Sequence, residues 1–312
     1  MTKIPSVPRQ PLDTRASLLM LVFCVTLGLQ QVAMKAVASA INPVAQAGFR
    51  SLFALVLVLA VMRWQKIPLI VRGQIVPGLL VGLGYAAEFA FVAMGLNYTY
   101  AAHMSVFLYT APVFAAIGLH LLVPGEQLKT RHWIGVGIAF VGMLVALAPA
   151  ADLSPRILLG DILGVLGALS WAATTLVLRL TTLAEAPSLR PTAFQLIITA
   201  VGLLAMSAGF GDLRTIHMTP LAWSSMVFQT LGIAFGMLLL WFWLLRRYLA
   251  WQLGVFSFLT PLFGVAFGVI LLHEPITINF VAGSVAILAG LLLVSVHKRR
   301  PKAPHPGKLP NL

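Results

Sequence analysis

Ten runs of roughly twenty apolar residues, joined by loops too short to hold a soluble domain, are the feature that most limits what this chain can become. They lie near 16–38, 44–63, 74–96, 100–122, 132–149, 158–180, 190–209, 221–245, 250–272 and 277–297. About twenty apolar residues are what a helix needs to cross a hydrocarbon core. Each backbone group there must be satisfied inside its own segment or within a closed barrel. The runs are continuous rather than alternating, which excludes a barrel. Composition agrees: 60% of the 312 residues are apolar and only 9% charged, against about 25% charged in soluble domains. Disorder is excluded because it requires low hydrophobicity. The expected fold class is an all-α polytopic membrane protein with ten transmembrane helices.

Loop charges orient the spans. Seventeen Lys and Arg residues fall on one side, and only Lys35, Arg156 and Arg214 on the other, with Arg50 inside a span. Positive loops stay cytoplasmic, so both termini are expected inside a bacterial-type inner (plasma) membrane. A net charge of +13 would suit nucleic acid only if the basic residues formed one soluble face. Here they are topology signals, and no nucleic-acid partner is expected. Ala38-Ser39-Ala40 after a basic start resembles a signal-peptide cleavage site, but Gln30, Gln31 and Lys35 interrupt that pattern. The tails, 1–15 and 298–312, are polar and Pro-rich and are expected to be loose. One cysteine, Cys24, allows no disulfide and no thiolate metal cluster.

The two halves repeat. Tyr109-Thr110-Ala111-Pro112-Val113-Phe114 reads like Phe258-Leu259-Thr260-Pro261-Leu262-Phe263, 149 residues later. Glu126, Gly135 and Gly142 recur as Glu274, Gly283 and Gly290, 148 residues on, and Phe49-Arg50 matches Phe194-Gln195. Residues 16–149 and 150–297 therefore form two five-helix repeats. Five is odd, so the second copy enters the membrane from the opposite face and the repeats are inverted. Inverted repeats place a binding site near the midplane, with rocking of the halves giving alternating access.

These residues resemble the drug/metabolite transporter superfamily in its EamA branch, with ten helices in two repeats. The likeness rests on Lys35, Phe49-Arg50, Pro112-Val113-Phe114, Glu126, Ser170-Trp171, Pro261-Leu262-Phe263, Glu274-Pro275, Gly283 and Gly290, and covers about residues 16–297. The first repeat departs from it in having Leu27 where the second has Trp171. The resemblance implies export of amino acids, other metabolites or drugs, through a cavity lined mainly by helices 1, 3, 4, 6, 8 and 9.

Glu88 is the leading site residue. A charge at mid-span costs at least ~2.5 kcal/mol, and such groups usually face the interior as pathway residues. It would partner a substrate ammonium or a coupling proton, or else be a buried acid bonded to a neighbouring helix. Tyr85 would set a ring and hydroxyl beside it, and Gly84 and Gly95 on the same face would admit a close helix. His103, with Phe107 on its face, is a candidate because histidine titrates near neutrality, with an interfacial, solvated role as the rival. Trp171 at mid-depth suggests a cavity wall, since membrane tryptophans favour interfaces. Gln30, Gln229 and Ser257 are further candidates to bind substrate, weighed against simply holding helices together. Arg50 is expected to snorkel or form a structural pair. Glu126 and Glu274 are expected to stabilise the helices that follow them. Trp241, Trp243, Tyr248 and Trp251 read as an interfacial belt. Pro112 and Pro261 sit inside helices 4 and 9, where proline removes a donor and kinks the helix; they are the expected hinges.

Enzyme signatures are missing: no HExxH, no Gly-x-Ser-x-Gly and no Walker sequence occurs. No metal or other cofactor is expected. The partners expected are a small-molecule substrate, the lipid bilayer and candidate coupling protons. Amino acids suit Glu88 best. Drug efflux and a nucleotide-sugar-type carrier are the alternatives, with a membrane-integral enzyme or lipid flippase further behind.

Overall fold

The structure, a computed structural model, describes residues 9–95, 98–99, 104, 107–146, 155–272 and 278–295. The main helices are α1 (Thr14–Ala36), α2 (Pro43–Trp64), α3 (Ile75–Gly95), α4 (Ala111–Leu122), α5 (Thr130–Ala146), α6 (Pro155–Leu180) and α7 (Leu189–Gly209). They are followed by α8 (Pro220–Arg247) and by α9, split into α9a (Ala250–Ser257) and α9b (Leu259–Leu272). The last is α10 (Ile278–Ser295). Among the described residues, seven helices are long and apolar enough to cross a bilayer, and α4, α5 and α10 carry shorter apolar stretches. Local chemistry sets several starts. Pro43 and Pro220 occupy first turns, with the Asn42 and Thr219 side chains accepting from the Val44 and Ala222 amides.

The helices pack mainly across the two halves. Helix α5 lies on α10, α2 on α7 and α4 on α9a. Helix α3 meets α6 and α7, α8 meets α1 and α2, and α1 on α9b has its counterpart in α4 on α6. Exchanging the halves maps this set of pairings onto itself. At the α5–α10 crossing the two backbones come close. A Cβ at Gly142 would stand 2.8 Å from the Gly283 carbonyl oxygen, and one at Gly290 would stand 2.6 Å from that of Gly135. Because 142 faces 283 while 135 faces 290, these two helices run antiparallel.

Both prolines lie just beyond interruptions. Helix α4 begins after a turn at Tyr109–Thr110, and α9 is interrupted at Phe258. Each interruption falls two to three residues before its proline. Proline cannot donate to the residue four before it, and its ring clashes with that carbonyl. Hydroxyls take up neighbouring backbone acceptors: Thr110 Oγ1 donates to Phe107 O at 2.6 Å and Ser257 Oγ to Gly254 O at 2.6 Å. Helix α8 is wound as a π-helix over Phe228–Met237.

The N-terminal segment departs from expectation. Residues 9–13 are not loose: Gln10 N donates to Arg247 O at 2.9 Å and Leu249 N to Gln10 O at 3.0 Å, a short bridge across the halves. The aromatic belt is corrected as well. Tyr248 and Trp251 are 5% and 2% exposed and belong to the core. Trp243 lies beneath the Arg247 guanidinium at 4.0 Å.

Candidate functional site

Glu88 lies in α3 where that helix meets α6. Gly84 lets the Thr174 side chain approach, and the Glu88 carbonyl faces Gly167. The small-residue face read from sequence is thus a contact face. Glu88, Tyr85 and Phe89 are all half-buried, and the Tyr85 and Phe89 rings meet edge to face at 4.9 Å. Arg50 of α2 is 2% exposed, with its guanidinium 5.1 Å from the centre of the Phe89 ring. It lies within electrostatic reach of both the Tyr85 hydroxyl and the Glu88 carboxylate. Arg50 therefore does not snorkel. It is the buried counter-charge of the site, without which an acid inside a bilayer-spanning bundle would be strongly disfavoured.

An aromatic wall adjoins this charged corner. The Tyr109 ring, at the turn before α4, meets Trp171 of α6 edge to face at 5.9 Å, and Tyr109 lies within electrostatic reach of Glu88. Thr260, just past the interruption in α9, is 2% exposed and its side chain lies beside the Tyr109 hydroxyl and the Cys24 thiol. A carboxylate, a buried guanidinium, a phenol pair and an indole thus face one region between the halves. Such a set can take a small solute carrying a cationic group and an apolar body.

Two stretches, residues 14–148 and 158–296, each match the EamA-like transporter family. The chain belongs to that family. Among relatives of this EamA-like transporter, the uncharacterized transporter YvbV of Bacillus subtilis (strain 168) is 29% identical over 296 residues, spanning 93% of this chain and 94% of its own. A probable amino-acid metabolite efflux pump of Escherichia coli (strain K12) is 26% identical over 298 residues, spanning 90% and 95%. One crystal structure matches with a TM-score of 0.75 at 19% identity, covering 91% of this chain and 97% of that one. It shares the fold.

The remaining candidates of the transporter fall elsewhere. Gln229 is fully buried, and its amide donates to Gln46 Oε1 at 2.7 Å and Ser225 Oγ at 3.0 Å. Gln46 in turn donates to Met34 O at 3.2 Å and Ile41 O at 2.8 Å, so this network ties α1, α2 and α8 together. Gln30 donates to Met34 Sδ at 3.4 Å. Ser257 bonds within its own turn. Phe107 backs onto Gly164 of α6. His103 and Glu274 lie outside the described residues.

A second ionic cluster lies at the end of the bundle where α1 begins. Glu126 follows Gly125, whose φ of +87° makes the turn out of α4. Its carboxylate does not serve the helix that follows it. Oε2 accepts from Ala250 N, the first residue of α9a, at 2.8 Å, and Oε1 meets Arg179 Nη2 at 3.1 Å. Arg179 also donates to Tyr248 O. Burial pushes the Glu126 carboxyl above the usual carboxylate range, against the opposing pull of Arg179 and of the Ala250 and Trp251 amides. Around the pair, Arg9 meets Glu185 at 2.7 Å, Tyr248 Oη donates to Asp13 Oδ2 at 3.2 Å, and Leu12 N donates to Gln252 Oε1 at 2.8 Å.

Proposed function

We propose that this transporter exports small amine-bearing metabolites, amino acids first among them, from the cytoplasm across a bacterial-type plasma membrane. Glu88 receives the substrate ammonium, Arg50 balances its charge, and Tyr85, Phe89, Tyr109 and Trp171 take the apolar body. The observation that carries this reading is a half-buried carboxylate in a membrane-spanning helix, set against a buried guanidinium and four aromatic rings. The relative named as a probable amino-acid metabolite efflux pump supports the substrate class. Proton and ammonium compete for the one carboxylate, so outgoing solute exchanges for incoming protons. The halves, 16–149 and 150–297, are inverted copies that rock about the site, a reading favoured by the antiparallel α5–α10 crossing. Both termini face the cytoplasm. Gln229 is assigned to helix bridging, and Gln30 and Ser257 to bonds within their own helices, rather than to substrate.

Counterflow into proteoliposomes with pooled labelled metabolites, at several internal pH values, tests this. Glu88→Gln keeps size and hydrogen bonding but cannot ionise. It should fold, lose most transport of amine-bearing solutes, and lose the pH dependence of what remains. Glu88→Ala should also lower stability by leaving a cavity and unpaired groups. A Gln variant with an unchanged rate and pH profile overturns the assignment.

A further inference from the structure

We propose that the Glu126–Arg179 pair is a latch that holds this end of the transporter shut, and that the half-helix α9a is the arm it releases. The inference rests on the transport reading, because a latch has a role only if this end must open. The pair is 2% exposed on both side chains and joins the two halves, Glu126 from the first and Arg179 from the second. The surrounding ties of the N-terminal segment also cross the halves: Arg9 to Glu185, Gln10 to Arg247 and Leu249, Leu12 to Gln252, and Asp13 to Tyr248. As long as they hold, the halves cannot part here.

Two features separate a latch from a permanent staple. The pair is incompletely satisfied on its cationic side: Arg179 Nε and Nη1 make no hydrogen bond among the described residues. A buried ion pair repays its desolvation only when geometry and hydrogen bonding are both complete, so the uncovered guanidinium nitrogens reduce what this pair contributes to holding the halves together. The second feature is mechanical. Glu126 holds the N-terminus of α9a at Ala250, and eight residues later that half-helix ends at the Phe258 interruption, beside the buried Thr260 hydroxyl. Along its length α9a touches α4 at Pro112, where a Cβ on Gly254 would make ordinary contact at 3.4 Å. One rigid arm therefore runs from the ionic cluster to the wall of the candidate site, with Pro112 against it and Pro261 three residues beyond the interruption where it ends. Withdrawing Glu126 frees the arm to swing about Phe258.

The chain carries its own reporter. Cys24, its single cysteine, is 0% exposed and lies with Sγ 3.4 Å from Phe256 O of α9a, so a swing of the arm uncovers it. The test is the rate at which a small thiol reagent modifies Cys24 in the full-length protein in detergent, with the melting temperature measured in the same buffer. Glu126→Gln, which keeps shape but not charge, leaves Arg179 buried without its partner and should lower the melting temperature, but it should speed modification at least tenfold and well beyond what that fall accounts for. Arg179→Gln should give a similar gain, and the double variant no more than either, because one contact is lost in all three. An unchanged rate overturns the latch. So does a faster rate accompanied by a proportionate fall in melting temperature, which marks general loosening. The measurement needs no solute, so a latch that fails while counterflow succeeds sinks only this inference. A latch that works in a chain that moves nothing sinks the transport reading instead.

Discussion

The α5–α10 crossing yields a prediction whose sign changes along a single helix. A Cβ on Gly142 would lie 2.7 Å from the Ile287 nitrogen and 2.8 Å from the Gly283 oxygen, and one on Gly290 would lie 2.6 Å from both the Ala139 nitrogen and the Gly135 oxygen. Ordinary contact begins near 3.4 Å, so either methyl must push the helices apart by roughly 0.6–0.8 Å. The obstructing atoms are backbone and cannot rotate away. Overpacking of this kind costs about 1–3 kcal/mol. Gly137, also in α5, has nothing within 4 Å of its would-be Cβ, so Gly137→Ala collects only the helix-propensity gain of about 0.5–1 kcal/mol. Gly142→Ala and Gly290→Ala should therefore destabilise by about 1–2 kcal/mol net, and Gly137→Ala should stabilise. The double variant should cost less than the sum, since one displacement relieves both clashes. Reversible unfolding in a dodecyl sulfate titration, followed by tryptophan fluorescence, reads all four. If Gly142→Ala stabilised as much as Gly137→Ala, the two backbones would not be in contact and the pairing would be wrong.

Three further outcomes can be checked. Pro112→Ala and Pro261→Ala should each slow counterflow more than they lower the yield of folded protein, because a continuous helix shifts the balance between open states; wild-type rates in both would reduce the interruptions to static bends. Reporter fusions after Leu153 and after Gly211 should read as outside and one after Ala186 as inside, and a reversal at any of them ends the orientation drawn from loop charge. Replacing Gln229 with Leu should lower stability, by leaving Gln46 and Ser225 without their partner at about 1–3 kcal/mol, while counterflow per folded molecule stays near wild type; a selective loss of transport would return Gln229 to the substrate site.

The spans were legible because bilayer thickness imposes one length and one composition on every segment, whatever its partners. Helices α2, α6 and α7 begin and end within a few residues of the apolar runs, since the runs stop where lipid stops. The interruptions in helices 4 and 9 could be read from Pro112 and Pro261, because a missing donor acts locally on its own chain. Which groups meet across helices was not legible in that way. Position along α2 left Arg50 open between reaching for the membrane surface and forming a structural pair, because its neighbours Tyr85, Glu88 and Phe89 come from α3. Glu126 looked like the cap of the next helix because that is the nearest one in sequence. The positive φ of Gly125 instead turns the chain so that the carboxylate meets Ala250, 124 residues away.

Polarity inside a span also fails to separate a ligand from glue, and the structure supplies the missing criterion. Gln30, Gln229, Ser257 and Glu88 share one sequence signature, a polar side chain where lipid demands apolar ones. The first three are 6%, 0% and 1% exposed, and each donates to a protein acceptor. Donors occupied in this way gain little from a solute that would have to break those bonds. Glu88 is half-buried and faces a cation that is itself sealed in. A carboxylate retained there, at a cost of at least ~2.5 kcal/mol in the membrane, beside a counter-ion that is itself buried, keeps an exposure that the three bonded groups have lost. That asymmetry, more than the charge alone, is the reason to begin substrate screening at Glu88.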